Sequence, residues 1–223
     1  MRSFEQIESE FVPRLTNAPW RRIAVVGDSI AAGIGEPTPG YPDRGWIASV
    51  VAVLAAAARP REICVKTLGR RGSVASEIRA RQVEEALEFG PDLVFLSAGG
   101  NDLLRPDYAR EQTIGEVDAM VAAFRTAGAD VATIGLFDAS GSPYLPADRK
   151  AAIRHLIADL AAGTAEVAGI RDAIHVAFTD SPIGADPSIY ARDGLHLNRR
   201  GHAQAAGIAL GVLTDRLERA EQA

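Results

Sequence analysis

The stretch RRIAVVGDSIAAGIG, residues 21–35, decides the fold of this chain. Its apolar run Ile23–Val26 is rich in β-branched residues and contains no polar position, which is typical of a parallel strand buried on both faces. The run ends at Gly27-Asp28-Ser29, where a glycine permits a tight turn and an acid or a serine can cap a following helix. The stretch therefore predicts a core strand with polar side chains at its carboxyl end.

Four further apolar runs have the same character and alternate with longer helical patterns. The predicted strands after the first are Glu62–Thr67, Leu93–Ser97, Val131–Leu136 and Ile174–Phe178. The predicted helices are Trp46–Ala58, Ser76–Phe89, Thr113–Ala127, Asp148–Ala168 and Arg200–Glu218. Because strands that alternate with helices form right-handed βαβ units, we predict an α/β fold, a three-layer α/β/α domain around a five-stranded parallel sheet. A flavodoxin-like strand order, 2-1-3-4-5, is our first choice by analogy.

Local signals suggest the ends of some elements and the extent of the domain. Gly90-Pro91 is a helix stop, and the segment Thr113–Glu116 fits a capping box at the start of a helix. The single Cys64 lies in an apolar run, where we expect a small buried side chain. We expect one domain over residues 1–223, with its core at residues 21–218 and an N-terminal extension at residues 1–20.

Composition argues against several classes of protein. Hydrophobic residues make up 47% of the chain and charged residues 24%, and the net charge of −5 comes with scattered basic residues, so neither a nucleic acid nor an anionic membrane surface is an expected partner. Glu5, Glu8 and Glu10 interrupt the segment where a signal peptide would be apolar, and no run is long enough for a membrane span. With one cysteine and no internal disulfide, we expect a cytoplasmic protein.

The polar residues that suggest chemistry follow four of the predicted strands. Ser29 follows the first strand, Gly69 and Gly72 follow the second, the segment Gly99–Asp102 follows the third, and the segment Asp193–His196 comes after the fifth. Ligands of open parallel sheets bind outside the carboxyl ends of the strands. We therefore expect these segments to converge on one rim of the sheet.

Together these residues fit acyl transfer by a serine. A serine hydroxyl needs a base and a group that orients the base. His196 is the candidate base for Ser29, and Asp193, three residues earlier, can orient it. The developing oxyanion needs donors, which the backbone N–H groups of Ser29 and Gly72 and the side-chain amide of Asn101 can supply.

The chain resembles the SGNH or GDSL esterase/lipase superfamily. The segments GDSIAAG at 27–33, GRRGS at 69–73, GGND at 99–102 and DGLH at 193–196 occur in the order of that family's four main blocks. The resemblance implies a catalytic Ser29, Asp193 and His196, an oxyanion hole of Ser29, Gly72 and Asn101, a small-molecule ester substrate, and neither cofactor nor metal. The second block departs from the family, which often has an asparagine before its first glycine, so Gly69 remains an alternative to Gly72.

Other interpretations of the same residues remain. Asp28, Asn101 and Asp193 could be ordinary caps or turn residues, and we expect Asp28 to organise its turn and His202 to be structural. No Gly-x-Ser-x-Gly, P-loop, dinucleotide fingerprint or zinc-spaced histidine pair is present. The long loop Gly33–Gly45 is either a substrate wall or a plain connection.

The substrate is less well determined than the chemistry. The chain has no long apolar insertion, which favours short acyl chains. The same site could also act on O-acetylated sugars or thioesters. A binding module without catalysis, a flavodoxin-like domain that holds a small ligand at the same rim, is the alternative from a different class.

Overall fold

The computed structural model describes residues 2–222; Met1 and Ala223, the ends of the predicted 1–223 domain, lie outside the described residues. Five strands form one sheet of order 2-1-3-4-5, in which all neighbouring strands are parallel. Their bounds are β1 Arg22–Gly27, β2 Cys64–Thr67, β3 Leu93–Ser97, β4 Asp130–Gly135 and β5 Ile174–Ala177. The predicted α/β class and flavodoxin-like strand order are confirmed.

Helices cover both faces of the sheet and complete three layers. Their bounds are α1 Phe4–Phe11, α2 Trp46–Ala58, α3 Ala75–Phe89, α4 Arg110–Thr126, α5 Ala147–Ile170 and α6 Arg199–Gln222. Helices α1, α2 and α6 pack with Ile23 and Val25 on one face, whereas α3, α4 and α5 lie on the face of Ala24 and Val26. Side chains alternate along a strand, so β1 supplies both cores, which explains its uninterrupted apolar sequence.

The N-terminal residues differ from the predicted extension at 1–20. Helix α1 begins with a capping box between Ser3 and Gln6, and its apolar residues recur at helical spacing. The buried residues of this helix are Phe4, Ile7 and Phe11, which belong to the same core cluster as α2 and α6. This segment therefore completes one layer of the fold, while the assignment of one domain to residues 1–223 stays a prediction.

The prediction of a buried Cys64 is wrong, because its side chain is exposed. Cys64 begins β2, which lies at the edge of the sheet and pairs with β1 alone. An edge strand is covered less completely than a central one, and three of the four residues of β2 are exposed.

The predicted capping box at Thr113–Glu116 is also wrong. Helix α4 begins at Arg110 with Ala109 as its N-cap, so Thr113 lies within the helix. Thr113 is buried, and its Oγ1 lies 3.5 Å from Oδ1 of Asp102, outside the helix. In contrast, Gly90 ends α3 in the left-handed conformation with φ of 64°, as Gly90-Pro91 predicts.

None of the helices formed by residues 2–222 has the length and hydropathy of a membrane-crossing segment. The cytoplasmic location and the lack of a nucleic-acid partner stay predictions.

Candidate functional site

Ser29, His196 and Asp193 form a continuous hydrogen-bonded chain at the carboxyl edge of the sheet. Ser29 Oγ lies 2.7 Å from His196 Nε2, and His196 Nδ1 lies 2.6 Å from Asp193 Oδ2. The serine follows β1 directly, whereas the other two residues lie in the loop between β5 and α6. The fold thus brings together three residues that are separated by up to 167 positions in the sequence.

The loop of Asp193 fixes the carboxylate as well as the imidazole. Asp193 Oδ1 accepts hydrogen bonds from the backbone N–H groups of Leu195, at 3.1 Å, and His196, at 3.0 Å. Partial burial alone would raise the pKa of Asp193, but these N–H donors and the imidazole hold the pKa of Asp193 below its ordinary value. The carboxylate is therefore ionised at neutral pH and faces Nδ1 of the histidine.

Asp28 is buried behind Ser29 and organises the turn after β1. Its Oδ1 accepts hydrogen bonds from the backbone N–H of Ile30 and from Ser97 Oγ, both at 2.9 Å. Burial raises the pKa of Asp28 to about 6, although both donors favour its ionised form. These contacts agree with a scaffold role, and no hydrogen bond joins Asp28 to His196 or Ser29 Oγ within residues 2–222.

Gln82 holds the end of β1 and is a residue that sequence reasoning missed. Its Oε1 accepts from the N–H of Gly27 at 2.8 Å, and its Nε2 donates to the C=O of the same residue at 2.9 Å. Gln82 lies on α3 and is only 2% exposed. A polar residue four positions after Ile78 and four before Ala86, both buried, was the available signal.

Within residues 2–222, Ser29, Gly72 and Asn101 each keep one N–H without a protein acceptor. One N–H of the Asn101 side chain donates to the C=O of Ser73 at 2.9 Å, which ties the loop after β3 to the loop after β2. In the part of the chain that the structure describes, the backbone N–H groups of Ser29 and Gly72 donate no hydrogen bond. These groups are the ones that the sequence predicts as oxyanion donors.

Gly69 and Gly72 differ in their surroundings. A Cβ at Gly69 would lie 2.5 Å from the backbone N of Ala32, so Gly69 is needed for close packing against the turn that follows Ser29. Gly72 has φ of 79° and open space around it. A glycine is thus favoured at each position for a different reason, close packing at position 69 and a left-handed backbone at position 72.

The long loop at residues 33–45 is fastened to the segment that carries His196. Arg199 donates from its guanidinium to the C=O of Gly33 at 2.8 Å and to Oδ1 of Asp43 at 2.6 Å. The ends of the loop also touch, since a Cβ on Gly45 would lie 2.5 Å from Cα of Gly33. The loop is therefore held at both of its ends and across its length.

His202 is a structural histidine, as the sequence predicts. Its Nδ1 accepts from the backbone N–H of Trp46 at 3.1 Å, and its Nε2 donates to the C=O of Ile34 at 3.0 Å. Burial lowers the pKa of His202 to about 4, so the ring is neutral at pH 7 with its proton on Nε2. It joins α6, the start of α2 and the long loop.

A cavity of about 130 Å³ opens beside Ser29 and His196. It is lined mainly by apolar side chains from the loop after β3, the end of β4 and the first half of α5. Trp46 is among its lining residues and packs edge to face against Phe95 and Phe178. Among residues 2–222 there is no cluster of three His, Cys, Asp or Glu side chains placed to hold a metal ion.

The fold is shared with solved hydrolase structures. An acetylxylan esterase, Axe2 of Geobacillus stearothermophilus, superposes with a TM-score of 0.67 at 20% identity, over 86% of this chain and 94% of the other. LAE5, an α/β hydrolase enzyme from the metagenome of Lake Arreo in Spain, superposes with a TM-score of 0.72 at 19% identity, over 89% of this chain and 97% of the other. At such identities the likeness shows the fold. No curated protein sequence matches the chain.

The sequence itself supplies the family. Residues 25–204, most of the chain, match the GDSL-like Lipase/Acylhydrolase family. That span begins within β1 just before Ser29 and ends in α6 beyond His196, so it includes every segment that forms the site. The chain therefore belongs to the GDSL-like lipase/acylhydrolase family and is a carboxylic ester hydrolase.

Proposed function

We propose that the chain hydrolyses carboxylic esters through an acyl-enzyme formed on Ser29. The observation that carries this proposal is the hydrogen-bonded series from Ser29 Oγ to His196 to Asp193, with distances of 2.7 and 2.6 Å. A serine within reach of an imidazole that is oriented by a carboxylate is the arrangement that activates a hydroxyl for attack.

The reaction proceeds in two halves. Ser29 Oγ attacks the ester carbonyl carbon while His196 Nε2 takes the hydroxyl proton, and Asp193 stabilises the imidazolium. The tetrahedral intermediate collapses, the C–O bond to the alcohol breaks, and His196 returns the proton to the leaving oxygen. Water then attacks the acyl-enzyme with His196 as base, which releases the acid and restores Ser29.

The oxyanion is stabilised by three donors in this proposal. The backbone N–H groups of Ser29 and Gly72 have no protein acceptor within residues 2–222, and Asn101 has a second amide hydrogen beyond the one given to Ser73. Donors left unpaired in the free enzyme are available when negative charge develops. The open surroundings of Gly72 favour it over Gly69, which is packed against Ala32.

Solved variants of a relative support the assignment. Structures described as catalytic mutants of the Geobacillus stearothermophilus esterase replace a serine, an aspartate and a histidine with alanine, and the aspartate precedes the histidine by three positions. Asp193 and His196 have the same spacing.

Labelling with a fluorophosphonate tests the proposal. We expect one covalent adduct, found by peptide mass spectrometry on Ser29, and a loss of p-nitrophenyl ester hydrolysis of more than about 10⁴-fold in Ser29→Ala. Ser49→Ala is the matched control, because Ser49 is also buried but lies on α2 away from the cavity lining. An active Ser29→Ala, or an adduct on another serine, overturns the proposal. A folded protein without turnover supports the binding-module alternative.

Acetylated carbohydrate is the second candidate substrate, supported by the likeness to an acetylxylan esterase. Release of acetate from acetylated xylo-oligosaccharides at a kcat/KM above that for simple alkyl esters would support it. Thioesters are tested in the same way, with a thioester of acetic acid as the substrate.

A further inference from the structure

The cavity beside Ser29 has few polar side chains among its lining residues. The polar side chains in its lining are Asp28, Ser29, Asn101, His196 and His202. The rest of the wall is aliphatic and aromatic, and includes Leu103, Leu136, Phe137, Ile153, Leu156 and Ile157. A substrate group that enters the cavity past Ser29 therefore meets mainly hydrocarbon.

The polar groups of the lining leave little for sugar hydroxyls to bind. Asp28 Oδ1 accepts from Ile30 and Ser97, which leaves Oδ2 as its one free oxygen. Both ring nitrogens of His202 are occupied, by Trp46 and Ile34. A hydroxyl group buried without a partner is penalised, so this cavity rejects a polar substituent. An aliphatic chain, in contrast, gains from every methylene removed from water.

We infer that the cavity is an acyl-chain subsite, and that the preferred substrates are esters of linear aliphatic acids longer than acetate. This inference rests on the proposed function, because it places the acyl carbonyl at Ser29. The volume of about 130 Å³ is close to that of an engineered protein cavity of about 150 Å³ that holds benzene, a six-carbon ring. Hexanoate is accordingly the expected optimum.

Helix α5 sets the length of chain that fits. Ile153 and Leu156 lie on this helix, line the cavity and are partly buried. Leu104 and Leu195 also line it and are 52% and 43% exposed, which gives the mouth an apolar rim. The alcohol part of the ester is then left toward solvent, where its polarity matters little.

A series of p-nitrophenyl esters from acetate to dodecanoate measures the subsite with a constant leaving group. We expect kcat/KM to rise about fourfold for each methylene from acetate to hexanoate and to stop rising at longer chains. A preference for acetate in this series, or for acetylated xylo-oligosaccharides over ethyl hexanoate, overturns the inference and leaves the proposed function intact. No Ser29-dependent hydrolysis of any ester overturns the proposed function itself.

Two isomeric esters show which side of the ester occupies the cavity. Ethyl hexanoate and hexyl acetate have the same atoms and nearly the same hydrophobicity, but only the first has the long chain on the acyl side. We expect kcat/KM for ethyl hexanoate to exceed that for hexyl acetate by at least about tenfold. The reverse preference assigns the cavity to the alcohol and overturns the acyl assignment.

Leu156→Trp fills the cavity, and His155→Trp is its matched control on the exposed side of the same helix. We expect Leu156→Trp to lower the ratio of kcat/KM for hexanoate to that for acetate by at least tenfold, while His155→Trp leaves the ratio unchanged. If Leu156→Trp does not fold, Ile153→Phe tests the same wall. An unchanged ratio in a folded cavity-filling variant contradicts the inference.

Discussion

The side-chain amide of Gln82 holds both backbone polar groups of Gly27. Its Oε1 accepts the N–H at 2.8 Å, and its Nε2 donates to the C=O at 2.9 Å. Gly27 is the last residue of β1 and lies two positions before Ser29, so a helix on one face of the sheet holds the backbone that presents the proposed nucleophile. The C=O of Gly27 also accepts a hydrogen bond from the N–H of Arg70, at 3.0 Å. The N–H of Gly27, in contrast, relies on Gln82.

Replacing Gln82 with leucine therefore leaves the buried N–H of Gly27 without a hydrogen-bond acceptor. We expect Gln82→Leu to lower the free energy of unfolding by about 1–3 kcal/mol and to lower kcat as well, because Ser29 loses its support. Urea unfolding and ester kinetics measure the two effects.

Gln204→Leu provides the comparison, since Gln204 is likewise buried and exchanges two hydrogen bonds with the backbone of one residue, Arg2. It does not line the cavity, so its replacement should affect stability without lowering kcat. Equal kcat values for wild type and Gln82→Leu would show that the hold on Gly27 does not position Ser29.

Asp28 gives the stability of the protein an unusual dependence on pH. Burial raises its pKa from 3.8 to about 6, so between these values the folded state binds a proton that the unfolded state has released. The contribution of Asp28 to stability is thus full below about pH 4 and is lost as the pH rises through 6. We expect Asp28→Asn to gain on the order of 3 kcal/mol relative to wild type between about pH 4 and pH 7.

The difference between the urea unfolding curves of the two proteins at each pH isolates this effect from other carboxyl groups. The asparagine keeps an oxygen for the N–H of Ile30 and for Ser97. A difference that is constant with pH would mean that Asp28 titrates normally in the folded protein.

His202 should change the stability of the protein with pH in the opposite direction to Asp28. Burial lowers its pKa from 6.5 to about 4, so the unfolded state takes up a proton first as the pH falls. The contribution of neutral His202 is present above pH 6.5 and is lost toward pH 4, by on the order of 3 kcal/mol. His202→Gln, which can still accept from Trp46 and donate to Ile34, should be correspondingly less sensitive to acid in unfolding experiments.

His155→Gln is the control for that experiment, because His155 is exposed on α5. Its acid sensitivity should match that of the wild type. If His202→Gln follows the same curve as His155→Gln, the buried ring is not the acid-sensitive group.

Asn101 should matter in the transition state more than in substrate binding. Loss of one oxyanion donor typically lowers kcat by about 10²–10³-fold, so we expect this loss in Asn101→Ala with KM nearly unchanged. Steady-state kinetics on p-nitrophenyl esters separate the two parameters, and urea unfolding checks that the broken bond to Ser73 has not destabilised the fold. A raised KM with a normal kcat would assign Asn101 to ground-state binding.

Much of the fold can be predicted from the sequence because burial is periodic. The run Ile23–Val26 contributes side chains to both hydrophobic cores, and its continuous apolar character predicts a central strand. Edge positions are harder, and Cys64 shows why: an apolar residue on an edge strand can face solvent without any local signal. Thr113 shows a second limit, since its hydroxyl turns to Asp102, which a local capping pattern does not reveal.

The site, like the fold, has residues that the sequence predicts and residues that it does not. Ser29, Asp193 and His196 can be found because each follows a predicted strand and because their chemistry requires one another. The residues that hold them cannot be found by that reasoning. Gln82 meets Gly27 across 55 positions and Arg199 meets Gly33 across 166, and neither pair has a chemical requirement that marks it in the sequence.

The contact between Gly33 and Gly45 makes the loop between them an exchangeable module. Both ends of the loop meet at one point, since a Cβ on Gly45 would lie 2.5 Å from Cα of Gly33. Insertions between the two glycines need not displace Ser29 before the loop or Trp46 after it, and doubling the length of a flexible loop adds only about 0.6 kcal/mol of closure entropy. Evolution or a protein engineer can therefore change this loop while the machinery that breaks the ester stays in place.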